Sequence, residues 1–420
     1  MKLHGYPLFM CGFRPFFLFC GISACALPLL WLLMLANVWP SLTGWNPPGG
    51  IVIWHASEMI LGFGMAAVAG FLLTAVPEFT ASAPAAPARL VVLARLWLLA
   101  RLAWLPAAWL PNWLAVLVLA GFNLGVTAML IALLLPALWR DPITRRHASF
   151  AWALAGMLGV QVGFFVAVWR GGNALAWLHL AIGLMMVLIV LAGSRISMNV
   201  VNRLIEAGKP GLAEHPNVGY LARPPRRNLA VFCICLCGAV DFFRGYDPVT
   251  GWVALATAAA MLNLLNDWHI GRALLYRWAL MLYASYWMMA GGYAAFGLSM
   301  LGAPWLPSAG LHLLTMGAMG LSIFAVMNIA GRIHAGLWLD ERRWVPIAAG
   351  LLLLAALVRA LSGWLVLAQW MQWLIQASGA LWIAAFVLYL WRNAALLTAQ
   401  RSDGQGGCAE PLLQRPEDGR

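Results

Sequence analysis

Three histidines stand near the beginnings of long apolar runs: His55, His179 and His312. Imidazole is a common ligand for haem iron and for copper, and a carboxylate can fix its orientation through the second ring nitrogen. Glu58 follows His55 by three residues, which projects both from one face of a helix. Arg101 and Arg359 interrupt two other apolar runs. A guanidinium in such a place needs an acidic partner, either Glu58 or Asp241 in the chain or the propionates of a bound haem. Cys233 and Cys237 share a helix face, and thiolates suit Cu(I), but with no partner His or Met placed by sequence, buried inert thiols are the simpler reading. Met316 lies one turn from His312, whereas His269 and His334 fall near the other ends of their runs, where a solvated interface is the simpler reading.

The elements that must position these side chains are membrane spans. Hydrophobic residues make up 63% of the 420 residues and charged residues 10%, against roughly 45–50% and a quarter in soluble domains. A span needs about 20 apolar residues, and runs of that kind occur near 15–37, 53–76, 88–110, 113–138, 148–169 and 173–198. Six more follow near 228–246, 251–267, 276–298, 308–331, 344–366 and 370–391. The expected fold is therefore all-α and polytopic, with about twelve transmembrane helices in a single domain over residues 1–398. Residues 199–227 read as a loop between two six-helix halves, and 399–420 as a disordered tail.

Loop charge orients the helices. Of the 26 Lys and Arg, 21 lie on the side that includes both termini and the 199–227 loop, which makes that side cytoplasmic. The apolar start is too long for a cleavable leader, so the first span should be retained. The net charge of +12 is dispersed between spans, unlike the stripe of a nucleic-acid binder. Cysteines near the cytoplasmic side, Cys11, Cys20, Cys25, Cys233, Cys235 and Cys237, should be reduced. At about 1.5 Å of rise per residue, His55, His179 and His312 come within roughly 10 Å of the outer boundary. Arg101 and Arg359 reach the same layer, about 20 Å above the cytoplasmic edge, and Asp241 can join it. Gly62, Gly64, Ala66, Ala67 and Gly70 leave room beside His55 for a flat macrocycle or for close helix packing.

Several stretches resemble the NnrS family over most of the chain. They are Gly12-Phe13-Arg14-Pro15-Phe16-Phe17, Trp54-His55 through Glu58-Met59 and Gly62-Phe63, and Gly70-Phe71-Leu72-Leu73-Thr74-Ala75-Val76-Pro77. Leu311-His312 with Thr315 and Gly317-Ala318-Met319-Gly320, and Gly193 with Arg195 and Asn199, belong to the same pattern. The resemblance implies a haem- and copper-containing protein of the bacterial inner membrane, linked to nitric oxide, nitrosative stress and denitrification. It carries over His55, His179 and His312 as ligands, and His334 through Ile333-His334-Ala335-Gly336. The chain departs from the family at Tyr283-Ala284-Ser285-Tyr286, where a His followed by Gly-Tyr is expected, and at Ile329, where an Arg is expected.

The expected arrangement places haem b iron on His55 and His312 and a second metal, copper, or a distal role on His179. Glu58 orients an imidazole, and Arg101 and Arg359 neutralise propionates or Glu58. The expected partners are the lipid bilayer, nitric oxide and an electron donor of unknown identity, and the expected activity is binding or redox turnover of nitric oxide. A twelve-span secondary transporter and a membrane assembly or haem-handling factor are the rival readings. Haem-copper oxidase chemistry is disfavoured, because the adjacent His pair on the seventh span and the His-x-His on the tenth are missing.

Overall fold

The computed structural model describes residues 7–38, 44–140, 147–206, 220–401 and 403–408. Among the described residues, twelve long helices stand at the twelve expected places. They are α1 Phe13–Leu35, α2 Ile51–Thr80, α3 Pro87–Ala107, α4 Asn112–Trp139, α5 Ala148–Arg170 and α6 Ala174–Glu206. The rest are α7 Pro224–Arg244, α8 Pro248–Leu265, α9 Arg277–Met300, α10 Pro307–Ile333, α11 Trp344–Leu361 and α12 Leu365–Thr398. Among the described residues, ten helices are long and apolar enough to cross a bilayer, and α7 and α9 fall outside that group. Arg226, Arg227, Asp241 and Arg244 lower the apolarity of α7. In α9 the lowering comes from Arg277 and from Trp and Tyr, which favour the membrane interface. The chain is an all-α polytopic membrane protein.

Proline starts several helices where the missing N–H costs nothing, at Pro87, Pro224, Pro248 and Pro307. Two helices widen into π-helical turns, α2 over Glu58–Gly64 and α10 over Leu313–Gly320. Such wide turns are rare and gather at functional sites. Each follows a candidate histidine, His55 by three residues and His312 directly.

By internal contacts the chain groups into two units. They interleave in sequence rather than following the expected halves, and the 207–219 part of the expected linker lies outside the described residues. The first unit comprises Met1–Leu178, Val326–Ala348 and Ile383–Arg420, and the second His179–Ala325 and Ala349–Trp382.

In the first unit the Gly12-Phe13-Arg14-Pro15 motif fastens the start of α1 to α2 and to the end of α12. A Cβ on Gly12 would sit 2.4 Å from Leu73 Cβ, so only glycine lets α1 begin against α2. Arg14 is fully buried and donates to the carbonyls of Pro7, Leu397 and Ala399, capping the end of α12 as a cation suits a helix C-terminus. Of the expected tail, residues 399–401 and 403–408 fold back on this unit, where Arg401 packs inside and donates to His334 O at 2.8 Å and to Asp403; the remainder of that tail lies outside the described residues. Cys11, expected as a reduced thiol, is joined in the structure to Cys408, which this fold-back brings to it, in a disulfide.

In the second unit α7, α8 and α9 form an antiparallel sheaf. Asp267, buried just beyond α8, accepts from Arg223 at 3.1 Å and Arg226 at 2.7 Å at the start of α7. At the opposite ends, Tyr246 Oη donates to Ser299 O at 2.9 Å. Helices α9 and α10 touch through backbone: a Cβ on Gly310 would lie 2.4 Å from Phe296 N.

Candidate intramembrane metal and ligand site

The first unit holds His55, Glu58 and Arg101. His55 lies flat against Trp31, with ring centroids 4.3 Å apart and planes 16° apart. Glu58, 1% exposed, opens the π-helical stretch of α2. Arg101 crosses from α3 to meet it, Nε to Oε2 at 3.2 Å, and its Nη2 donates to Asn123 Oδ1 on α4 at 2.5 Å. The guanidinium also lies 5.5 Å over the Trp97 ring, which itself stacks on Phe19 and donates Nε1–H to Gly62 O at 3.1 Å. Gly62 makes this approach possible, since a Cβ there would stand 2.5 Å from Arg101 Nη1.

At two of the small residues that follow His55 the neighbouring space is taken by protein side chains. Arg101 lies on Gly62, and Phe17 on Gly70 at 2.6 Å from where a Cβ would be. Of the two uses expected for the small residues, close packing is the one found at these positions.

A buried polar chain extends from this pair. Asn123 accepts from Arg101, Thr127 donates to Asn123 O at 3.5 Å, and Thr127 and Gln161 exchange a hydrogen bond at 2.8 Å. Four helices, α2 to α5, are joined by it. Sequence reasoning missed Asn123, Thr127 and Gln161. The signal was present, because single polar residues inside apolar runs join helices, with Asn123 and Thr127 at i, i+4.

The second unit holds His179, His312, Asp241 and Arg359. His179 Nδ1 and Asp241 Oδ2 lie 2.9 Å apart, with Asp241 8% exposed and Phe296 edge-on to the imidazole at 6.3 Å. His312 Nδ1 bonds to Ser308 O, one turn back, at 2.7 Å. A carbonyl accepts only, so Nδ1 carries the proton and the lone pair stands on Nε2. A carboxylate has the same effect on His179. These are the tautomers in which imidazole ligates a metal through Nε2.

Arg359 donates to Ser362 Oγ at 2.8 Å, and no ion pair joins it to a carboxylate among the described residues. Two residues past the end of its helix, Gly363 packs on Ala309. Met316 Sδ accepts from Ser378 at 3.9 Å. Cys233 and Cys237 are free thiols on α7, and Thr257 Oγ1 donates to Cys233 O. Among the described residues, no group of three or more His, Cys, Asp or Glu is gathered as a ready metal cage.

His334 stands apart from His55. Its Nε2 lies 3.4 Å from Glu78 Oε2, at the far end of α2, and its ring packs on Phe13. Glu78 is 23 residues beyond His55, about 35 Å along the helix at 1.5 Å per residue.

Fold and site together define a multi-span membrane protein that keeps ionisable side chains inside its helical bundles, each tied to a partner. Such residues are costly in a bilayer and mark ligand, ion or proton sites. The sequence profile of the NnrS protein family matches residues 7–401, nearly the whole chain, and the chain belongs to that family. No curated protein matches the chain. Family membership makes it a membrane protein related to the nitric oxide response.

Proposed function

We propose that this chain is a haem-binding, nitric oxide-reactive protein of the bacterial inner membrane. The observation that carries the reading is the state of two imidazoles within spans: His179 and His312 each bond through Nδ1 to an oxygen acceptor. Metal-ligating histidines are commonly held in this way. The donor set fits haem b, which needs imidazole ligands and cations for its propionates. It also fits copper, for which imidazole is a suitable ligand.

His312, and His55 in its own unit, are the candidates for iron, and His179 with Asp241 is the candidate for copper or for a distal role. Arg359 is the candidate propionate partner, since Ser362 does not neutralise it. Arg101 already meets Glu58 and Asn123, so it serves better as a positioning residue. His334 with Glu78 is the least suited of the proposed ligands, because it lies far along α2 from His55.

When bound, haem would supply a redox-active iron able to bind nitric oxide. The protein's own contributions follow from its side chains. Ser308 and Asp241 hold the proton on Nδ1 of His312 and His179, Phe296 confines the His179 ring, and the apolar spans exclude water while admitting a small gas through the lipid.

Absorption spectra of the detergent-purified protein, oxidised and reduced with dithionite, test this directly. A haem Soret band is expected, and in His312→Ala or His55→Ala it should be lost or shifted. His179→Ala should keep the haem band and lose copper or nitric oxide reactivity. Purified protein that takes up no haem on reconstitution, or full haem loading in a variant lacking both His55 and His312, would overturn the assignment.

A further inference from the structure

Cys11 precedes α1 and Cys408 follows α12, 397 positions away, yet their Cα atoms are 5.5 Å apart and a disulfide joins them. The two sulfurs differ in access. Cys11 is 1% exposed, with Thr74 Oγ1 3.9 Å from its sulfur, whereas Cys408 is half-buried after Gly406 and Gly407. The other described cysteines, Cys20, Cys25, Cys233, Cys235 and Cys237, are free. Loop charge assigns both ends of the chain to the cytoplasmic side. Thiol buffers there keep ordinary cysteines reduced, and the disulfides that do form are commonly transient and redox-sensing.

The bond closes a segment that already has polar holds. Arg14 grips the carbonyls of Leu397 and Ala399, and Arg401 grips His334 O. Beyond Arg401, Asp403 turns back onto the Arg401 guanidinium. Gly336 lies under both, since a Cβ there would stand 2.6 Å from Asp403 and 2.7 Å from Arg401. The disulfide is thus the hold that ties residues 403–408 to the start of α1, over the end of α10.

We propose that Cys11 and Cys408 form a reversible thiol–disulfide site, with low-molecular-weight thiols and their disulfides as co-reactants, that clamps residues 403–408 when oxidised and releases them when reduced. In reduction a small thiolate attacks Cys408 Sγ, the accessible sulfur. A mixed disulfide forms on Cys408, the Cys11–Cys408 bond breaks, and Cys11 leaves as a thiolate that takes up a proton. A second small thiolate attacks the outer sulfur of the mixed disulfide and frees Cys408. Two small thiols are oxidised to one small disulfide and one protein disulfide is reduced to two thiols, so electrons and protons balance. Oxidation runs the same steps in reverse. This site is independent of haem.

The test uses the full chain in membrane vesicles, equilibrated with mixtures of reduced and oxidised glutathione, then acid-quenched, alkylated under denaturing conditions and digested for mass spectrometry. At the oxidising end a peptide pair linked through Cys11 and Cys408 is expected, with the other five cysteines alkylated throughout. At the reducing end both cysteines should be alkylated, and amide exchange over 403–408 should rise about tenfold or more, as for a segment that opens locally. Cys408→Ser should show the fast exchange in every mixture. Cys11 and Cys408 both alkylated in the most oxidising mixture would overturn the proposal. So would a link that survives the most reducing mixture, since that is a fixed structural bond, or exchange that does not respond to the mixture.

Discussion

Glu58 and Asp241 are both buried carboxylates on long helices, and their partners give them different work. Glu58 meets Arg101, a permanent cation that also reaches Asn123. Asp241 meets His179, whose other ring nitrogen faces away from the bond. Glu58 was the expected orienting carboxylate because it is the one near a histidine in sequence. The structure gives that relation to Asp241, 62 positions from His179. Helical rise gives these residues an expected depth, at about 1.5 Å per residue. The pairing was not legible, because it depends on how each helix is rotated and on which helices adjoin. Asp241→Asn replaces the charge while keeping the shape. If His179 ligates a metal, this change should weaken metal retention about 10–100-fold, measured by competition with a chelator, while the haem spectrum stays the same. Unchanged affinity would leave Asp241 a packing residue.

At the scale of helices, the twelve elements could be read from hydrophobic run length, and observed ends lie within a few residues of the expected ones except where α6 runs on to Glu206 and α12 to Thr398. The wide turns in α2 and α10 could not. Their sequence trace is only the glycines of Glu58–Gly64 and Leu313–Gly320, which equally suit ordinary close packing. Glycines along the same two helices differ in what lies against them. Gly62 faces the end of a flexible side chain, Arg101, and Gly310 faces the α9 backbone at Phe296. Alanine at the two positions should therefore act differently. Gly62→Ala should push the guanidinium off Glu58 at a cost of about 1–3 kcal/mol, as overpacking commonly does, and leave a folded protein. Gly310→Ala has no side chain to displace and must part α9 from α10, so it should lower the yield of monodisperse protein much further. Thermal stability and size-exclusion profiles in detergent measure both, and equal tolerance of the two changes would contradict the stated contacts.

For the whole molecule the question is how many helices cross, because composition supports ten and run length twelve. If α7 and α9 did not cross, α8 would reverse its direction, taking the loop with Arg272 outside and that with Arg244 inside. Loop charge favours twelve crossings only weakly here, since few basic residues are involved. The polar contacts within the sheaf favour twelve. Asp267, just past α8, is bound to Arg223 and Arg226 at the start of α7, so these points share one face. Tyr246, between α7 and α8, is bound to Ser299 at the end of α9, so those points share the other. Helices of 21, 18 and 24 residues thus run side by side between the same two faces, each about 27–36 Å long at 1.5 Å per residue. With the turn that carries α8 on to Trp268, a span of 21 residues, all three are long enough to cross the roughly 30 Å hydrocarbon core, so if α8 crosses, α7 and α9 cross with it. The polar cost is met inside the sheaf, because Asp241 and Asp267 are buried against His179 and the two arginines rather than turned to lipid. Reporter fusions should therefore place the 245–247 loop outside and the 269–272 loop inside, together with the 199–227 loop and the end of the chain. A reporter at 269–272 that is active only outside would remove both the twelve-span reading and the outer-layer depth assigned to His179 and His312.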